Sequence, residues 1–375
     1  MSRHATPEGT RRYAARFMAS SPAPGNHKAA AGYFREQLEL TLSSVGIGTY
    51  LGEPDSATDQ GYTDSVVAAV QGGINVVDTA INYRFQRSER SIRAALEKLS
   101  AGGIAREEIV LCTKAGFLTP DGEMPADPGE YFFQEYVKRG IFGPDDVAAG
   151  CHCITPAYLA DQLERSKRNL GVECIDVFYI HNPETQLGEI TREQFRQRMR
   201  AAFEFCESAV AEGKIRLYGL ATWNGFRQDP QAKDYISLDE IVSIAREIAG
   251  ENHHLRFVQL PFNLAMPEAL VRPSQVINGR PVSMVQAARP LGIVLVTSAA
   301  LLQGQLAQNL PPYIAAALGL KNDRERALQF ARSVPGITTA LVGMSRPEHV
   351  RANLAIAGVE PATREQLLKL FERNR

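Results

Sequence analysis

Residues Val76–Arg90 read VVDTAINYRFQRSER, and how this stretch is read decides the fold. An apolar, β-branched run stops at Asp78, a loop carries Tyr83, and helix-favouring sequence starts near Ser88. That is the order strand, loop, helix. A carboxylate closing an apolar strand is either punctuation or chemistry, and the surrounding chain is what separates the two.

The same unit recurs along the chain. Strand patterns fall at Val45–Gly48, Ile74–Asp78, Ile109–Lys114, Cys174–His181, Ile215–Leu220, Leu255–Leu260, Ile293–Thr297 and Ala340–Gly343. Helical patterns alternate with them at Thr63–Gln71, Ser88–Leu99, Pro156–Asn169, Arg192–Glu212, Leu238–Ala249, Val282–Arg289, Asp323–Ser333 and Pro347–Ala357. Strands apolar along nearly their whole length belong in a parallel sheet covered on both faces. Eight such units, with no Gly-x-Gly-x-x-Gly turn after the first strand, predict an α/β fold of the closed (β/α)8 TIM barrel type rather than an open doubly wound sheet. Residues 1–38 read as a polar, basic N-terminal surface extension, and residues 39–375 as the barrel domain, with one further helix near Thr363–Arg373.

Three connections are long: Ala115–Thr155, Asn263–Arg280 and Ala299–Lys321. Loops after the strands build the active site in such barrels, so long ones there are expected to cover a substrate. The insertion at 115–155 holds Phe117, Tyr131, Phe132, Phe133, Tyr136 and Phe142, which suits a lid, a small aromatic core or a contact surface.

Forty-one basic and 42 acidic residues leave a net charge of −1, which excludes the basic footprint of a nucleic-acid or anionic-membrane binder. No run approaches the roughly 18 apolar residues of a membrane span. The expected setting is cytoplasmic and the expected partner a small molecule; oligomeric state is left open. Five cysteines, an odd count, fit reduced thiols. The Cys151-His152-Cys153 triplet lacks a second cluster to complete a metal site, so no metal is expected.

Asp78, Lys114 and His181 each end a predicted strand, and Tyr83 follows the second, so all four should meet at one rim. A lysine at the end of a buried strand needs a counter-charge, and Asp78 on the neighbouring strand supplies one. An ammonium beside Tyr83 is expected to lower the phenol from its reference of about 10. His181, as a neutral ring, can donate to a carbonyl oxygen. Together these groups can polarise and protonate a developing alkoxide once a cofactor supplies hydride.

With these residues in place, the chain resembles the aldo-keto reductase superfamily from about Leu40 to Ile356. The likeness is carried by GIGTY (Gly46–Tyr50), DTAINY (Asp78–Tyr83) with SER (Ser88–Arg90), TKAG (Thr113–Gly116), LGVECIDVFYIHNPE (Leu170–Glu184), VQLPFN (Val258–Asn263) and ALVGMSRPEHVRANL (Ala340–Leu354). The resemblance implies a (β/α)8 barrel that uses NADPH, with NADH also possible, on an aldehyde, a ketone or the corresponding alcohol. It implies Tyr83 as general acid, Lys114 and Asp78 as its tuning pair, and His181 as the group that orients the carbonyl.

It also implies a cofactor site. Gly48, Thr49 and Tyr50 fall beside the nicotinamide, and Gln259 at its carboxamide. Where the family has Ser-Asn this chain has Ala221 and Thr222, with Asn224 close by, and Ser298 falls where many members place a serine after a stacking tyrosine. Gly343, Ser345, Arg346 and Asn353 fall at the adenosine end, with Arg346 as the local cation and His349 where relatives carry a basic residue. Ser345 also reads as the N-cap of the last helix of the barrel, with Glu348 at its third position. Two other readings share these residues: a lyase, dehydratase or isomerase that keeps the acid/base group without hydride transfer, and a cofactor-sensing binding subunit docking through Tyr131–Phe142.

Overall fold

The structure, a computed structural model, describes residues 3–18 and 28–372. Eight parallel strands close into a barrel: β1 (Val45–Gly48), β2 (Val76–Asp78), β3 (Val110–Ala115), β4 (Ile175–His181), β5 (Ile215–Ala221), β6 (Leu255–Pro261), β7 (Val294–Ser298) and β8 (Ile337–Gly343). β8 pairs with β1, Gly343 opposite Gly48, and this contact closes the ring. Every residue of β4 is buried, because its side chains alternate between the barrel interior and the helical layer.

Outside the strands lie α2 (Ser56–Gln71), α3 (Arg87–Ala101), α4 (Pro156–Leu170), α5 (Arg192–Ala211), α6 (Leu238–Ala249), α7 (Met284–Ala288), α8 (Asp323–Ser333) and α9 (Pro347–Leu354), after α1 (Pro7–Met18). Local chemistry sets their ends. Thr155 caps α4 through the Tyr158 N–H, Pro156 opens its first turn, and Gly171 at φ 67° ends it in a left-handed cap. Thr191 and Gln194 form a reciprocal capping box at the start of α5. The expected Ser345 cap is corrected: Arg346 is the N-cap residue of α9. The helix after β8 starts at Pro347 because proline's fixed φ suits the first helical position.

The opening segment differs from the surface extension read in residues 1–38. Tyr13, Ala14 and Phe17 of α1 are buried, Arg12 and Arg16 pair with the buried Glu108, and Ala5 N–H donates to Asp176 at 2.7 Å. Alternating apolar and basic residues made this helix read as polar, although its apolar stripe faces the barrel. Residues 1–2, 19–27 and 373–375 lie outside the described set, and with them parts of that segment and Arg373 of the expected last helix, which runs Arg364–Lys369.

Below the barrel, Phe34–Gln37 and Leu40–Ser43 form an antiparallel hairpin. Its Leu40 and Leu42 insert among interior residues including Val76, Val110, Val177 and Phe257. The floor is thus plugged, and the open end is the rim where the strands finish. A second hairpin, Gln275–Ile277 with Arg280–Val282, lies inside the long connection after β6.

In the 115–155 insertion the aromatics pack on one another. Tyr136 stacks on Phe142 at 5.3 Å and meets Tyr158 of α4 edge-on at 5.5 Å. No described helix is long and apolar enough to cross a membrane.

Candidate active site

Strand register brings the predicted chemistry to one level of the rim. Gly48 stands opposite Asp78, His181 opposite Ala221, and Ala221 opposite Gln259. Above them opens a cavity of about 880 Å³. Asp78, Tyr83 and His181 line it, and Lys114 is fully buried just behind.

The buried pair is tight. Lys114 Nζ donates to Asp78 Oδ2 at 2.5 Å and to the Thr79 carbonyl at 2.7 Å. The other carboxylate oxygen, Oδ1, accepts from Gln259 Nε2 at 2.8 Å. Burial works against the Lys114 ammonium, but Asp78 and Tyr83 together outweigh it and hold the lysine above its ordinary value. Burial likewise pushes the Asp78 carboxyl up, opposed by Lys114 and Gln259. A fixed ammonium with a fixed counter-ion results.

Lys114 Nζ lies 4.9 Å from the centre of the Tyr83 ring and interacts with its hydroxyl. The expectation that this ammonium lowers Tyr83 below its reference is corrected. Burial raises the phenol by more than Lys114 pulls it down, and Asp78 adds to the rise. Tyr83 therefore keeps its proton at neutral pH, the form in which a phenol donates. Burial first, then Lys114, depress His181 well below the usual histidine range, so its ring is neutral. Its Nδ1 has no partner among the described residues, and its ring centre is 5.9 Å from that of Tyr83.

Gly48, Thr49, Tyr50, Thr222, Gln259 and Ser298 also line the cavity. Gly343, Ser345 and Asn353 line it too. Besides the buried Lys114, two predicted residues are not part of its wall. Asn224 donates its backbone N–H to Glu184, and its side-chain oxygen accepts from Arg227 at 3.4 Å. Arg346 is exposed at the start of α9, and the basic side chains lining the cavity among the described residues are instead Arg324 and His349.

Sequence reasoning missed Arg324, in the first turn of α8, because a charge there reads as a solvated helix start. It also assigned no role to Glu184. That carboxylate accepts the backbone N–H groups of Trp223, Asn224 and Gly225 at 2.6, 2.9 and 3.3 Å, and so holds the turn that carries Thr222 and Trp223 to the cavity. Tyr50 and Trp223, both about half exposed at 57% and 47%, lie where the cavity meets solvent. The Ala299–Lys321 connection contributes Ala299 through Gly304 to the wall, as expected of a long loop on this face. From the 115–155 insertion only Phe117 reaches it. In the Cys151-His152-Cys153 triplet, Cys151 is exposed, Cys153 Sγ approaches Thr155 Oγ1 at 3.4 Å, and the three side chains diverge.

Among the described residues, several polar atoms at the cavity are buried and unpartnered: Asn82 Oδ1, Thr222 Oγ1, Arg324 Nε and Asn353 Oδ1, besides His181 Nδ1. Buried polar groups without partners are rare in folded proteins, and five around one cavity fit a ligand that carries several polar groups. A dinucleotide is such a ligand.

Comparison with known proteins agrees with this geometry. Residues 44–242 match the sequence model of the Aldo/keto reductase family. An uncharacterized oxidoreductase of Bacillus subtilis, YqkF, is 23% identical over 347 residues, covering 88% of this chain and 92% of that protein. The NADH-specific methylglyoxal reductase of Escherichia coli is 28% identical over 188 residues, and the match spans 49% of each chain. An aldo/keto reductase from Klebsiella pneumoniae, solved with NADP and acetate, shares the fold with a TM-score of 0.58 at 20% identity, over 88% of this chain and 91% of that one.

Proposed function

The chain belongs to the aldo/keto reductase family and is an NAD(P)H-dependent enzyme; on that premise we propose that it reduces an aldehyde or ketone, or oxidises the matching alcohol, with Tyr83 as the proton donor. The observation that carries this reading is the convergence of four side chains from three strand ends and one loop: Lys114 Nζ 2.5 Å from Asp78, 4.9 Å from the Tyr83 ring, and His181 across the same cavity.

Held by residues such as Gln259, Thr222 and Ser298, a reduced nicotinamide would supply the hydride. The chain's own residues do the rest. His181, neutral and unpartnered at Nδ1, orients the substrate carbonyl beside Tyr83. As negative charge develops on the carbonyl oxygen, the Tyr83 hydroxyl gives up its proton to it. The Lys114 ammonium, held by Asp78, stabilises the phenolate left behind without moving, because both charges are already fixed. In the reverse direction the same phenolate takes the alcohol proton.

Gln259, Thr222 and Ser298 would hold the nicotinamide end of the cofactor, and Ser345, Asn353 and Arg324 the adenosine end. The relative named NADH-specific and the neighbour solved with NADP bracket the cofactor choice. Arg324, with its unpartnered Nε, supports NADPH as the preferred form and supplies the cation expected of Arg346. Arg324→Leu should weaken NADPH affinity by about 10- to 100-fold, the range of one charge-assisted hydrogen bond. NADH affinity should change by less than about twofold; fluorescence titration of both cofactors checks this.

The pH dependence follows from the direction of the Tyr83 shift. The donor is active while protonated, and its pKa is raised above the tyrosine reference of about 10. Reduction should therefore be level from pH 6 to about 9 and fall only at more alkaline pH, while alcohol oxidation should rise over that alkaline range. A kcat profile for reduction with a break near pH 7 would contradict the assignment. The broader test is loss of the reduced-nicotinamide absorbance when the purified protein meets NADPH and a panel of carbonyl compounds. No consumption with any of them would sink the proposal.

A further inference from the structure

We infer that His152, 29 residues before His181 in the chain, is the positioning residue that fixes how the His181 imidazole enters the cavity. This rests on the reading of His181 as the group that orients the carbonyl.

His181 is the last residue of β4, and its carbonyl has lost the partner that a parallel sheet would provide. β3 ends at Ala115, paired with Ile180 one position earlier. The next residue, Asn182, turns the chain sharply in a left-handed conformation, φ 45° and ψ 54°, with its N–H bound to the Ala221 carbonyl at 2.6 Å. Where β3 would have continued, the His152 ring takes the role of a backbone donor: its Nε2 lies 2.7 Å from the His181 oxygen.

The neighbouring backbone is shaped for this contact. A side chain on Gly116 would come within 2.5 Å of the His181 oxygen and 2.8 Å of His152 Nε2, so only glycine leaves room for the ring. Residues 151–153 are clamped against this stretch by Cys153 N–H to the Gly116 carbonyl at 2.8 Å and Leu118 N–H to the Cys151 carbonyl at 2.7 Å.

The ring's tautomer is also set. Gln186 Nε2 donates to His152 Nδ1 at 2.8 Å, and Gln186 Oε1 accepts from Arg198 of α5, which fixes which end of the amide faces the ring. Nδ1 is thus an acceptor, and the single ring proton stands on Nε2, facing the His181 carbonyl. His152 and Gln186 are fully buried. Phe117 meets both imidazoles nearly perpendicularly, with ring centres 5.0 Å from His152 and 5.2 Å from His181. A donor that fixes the carbonyl of His181 fixes the direction of its Cα–Cβ bond, and so where its ring stands relative to Tyr83.

Two substitutions separate positioning from mere packing. His152→Phe keeps an aromatic ring and removes the donor, whereas His152→Gln places an amide N–H where Nε2 stood. With the full chain, NADPH and the best carbonyl substrate, His152→Phe should lower kcat by about 10- to 100-fold, the scale of a misplaced catalytic group, with NADPH affinity unchanged. His152→Gln should recover most of it. Wild-type kcat in a folded Phe variant, or a Gln variant as slow as Phe, would overturn the inference. Should the Phe variant not fold, Gln186→Met decides: it frees the tautomer and should lower kcat several-fold at unchanged NADPH affinity, and full activity there is equally fatal. Failure of the parent reading looks different, because the wild-type protein would then turn over no carbonyl compound or Tyr83→Phe would be fully active.

Discussion

Tyr83→Phe is expected to lower kcat for carbonyl reduction by about 10²- to 10⁴-fold, the usual worth of a positioned proton donor, while NADPH affinity stays within about twofold. The change removes one oxygen and keeps the ring in contact with Tyr50 at 5.0 Å and with His181 at 5.9 Å. The cavity is therefore not remodelled, and the lining residues Arg324 and Asn353 are unchanged. What disappears is the proton that quenches the oxyanion, so the loss should fall on kcat and not on cofactor binding. Steady-state kinetics and fluorescence titration on the same preparation distinguish this from misfolding. A variant with wild-type kcat would assign the proton to another group.

The second large effect concerns the buried pair and separates its structural from its chemical role. Lys114→Met leaves the Asp78 carboxylate buried without its counter-ion, which should cost about 3–5 kcal/mol of stability and also abolish most turnover. Adding Asp78→Asn removes the stranded charge while keeping an oxygen that can accept from Gln259 Nε2. Replacing both members of a buried pair by neutral groups is often close to neutral for stability. The double variant should thus regain most of the lost stability in chemical denaturation, yet remain as inactive as Lys114→Met. Activity returning with stability would show that the ammonium serves folding alone.

Much of this was legible in the chain itself. The alternation of apolar runs and amphipathic stretches gives the barrel, because strands covered on both faces must be apolar throughout and their order leaves little topological choice. Asp78, Lys114 and His181 could be placed because a polar residue ending such a strand has one place to go, the rim. The floor hairpin was illegible: its turn residues are Leu38 and Glu39, both at positive φ and neither a usual turn former. The second hairpin carried a readable signal, Asn278-Gly279, inside a segment first treated only as a long connection.

Other features lay beyond linear reasoning for a physical reason. The sign of the Tyr83 shift depends on how deeply the phenol is enclosed, which no spacing reveals, whereas the presence of Lys114 is plain from the strand pattern. Arg324 joins the cavity beside Ala299–Gly304 of the preceding loop, and His152 reaches His181 from the end of an insertion whose path only the fold defines. The backbone N–H of Asn224 donates to Glu184 across 40 positions of the chain, a contact that no local spacing reveals.

The central claim is that hydride arrives from a nicotinamide and the proton from Tyr83. The most direct measurement is a turnover with NADPH deuterated at both C4 positions and an aldehyde substrate, followed by mass spectrometry of the product. The expected product is an alcohol carrying one deuterium on the former carbonyl carbon for each NADPH oxidised. A product formed without deuterium at that carbon would contradict it and leave these residues to acid/base chemistry without hydride transfer.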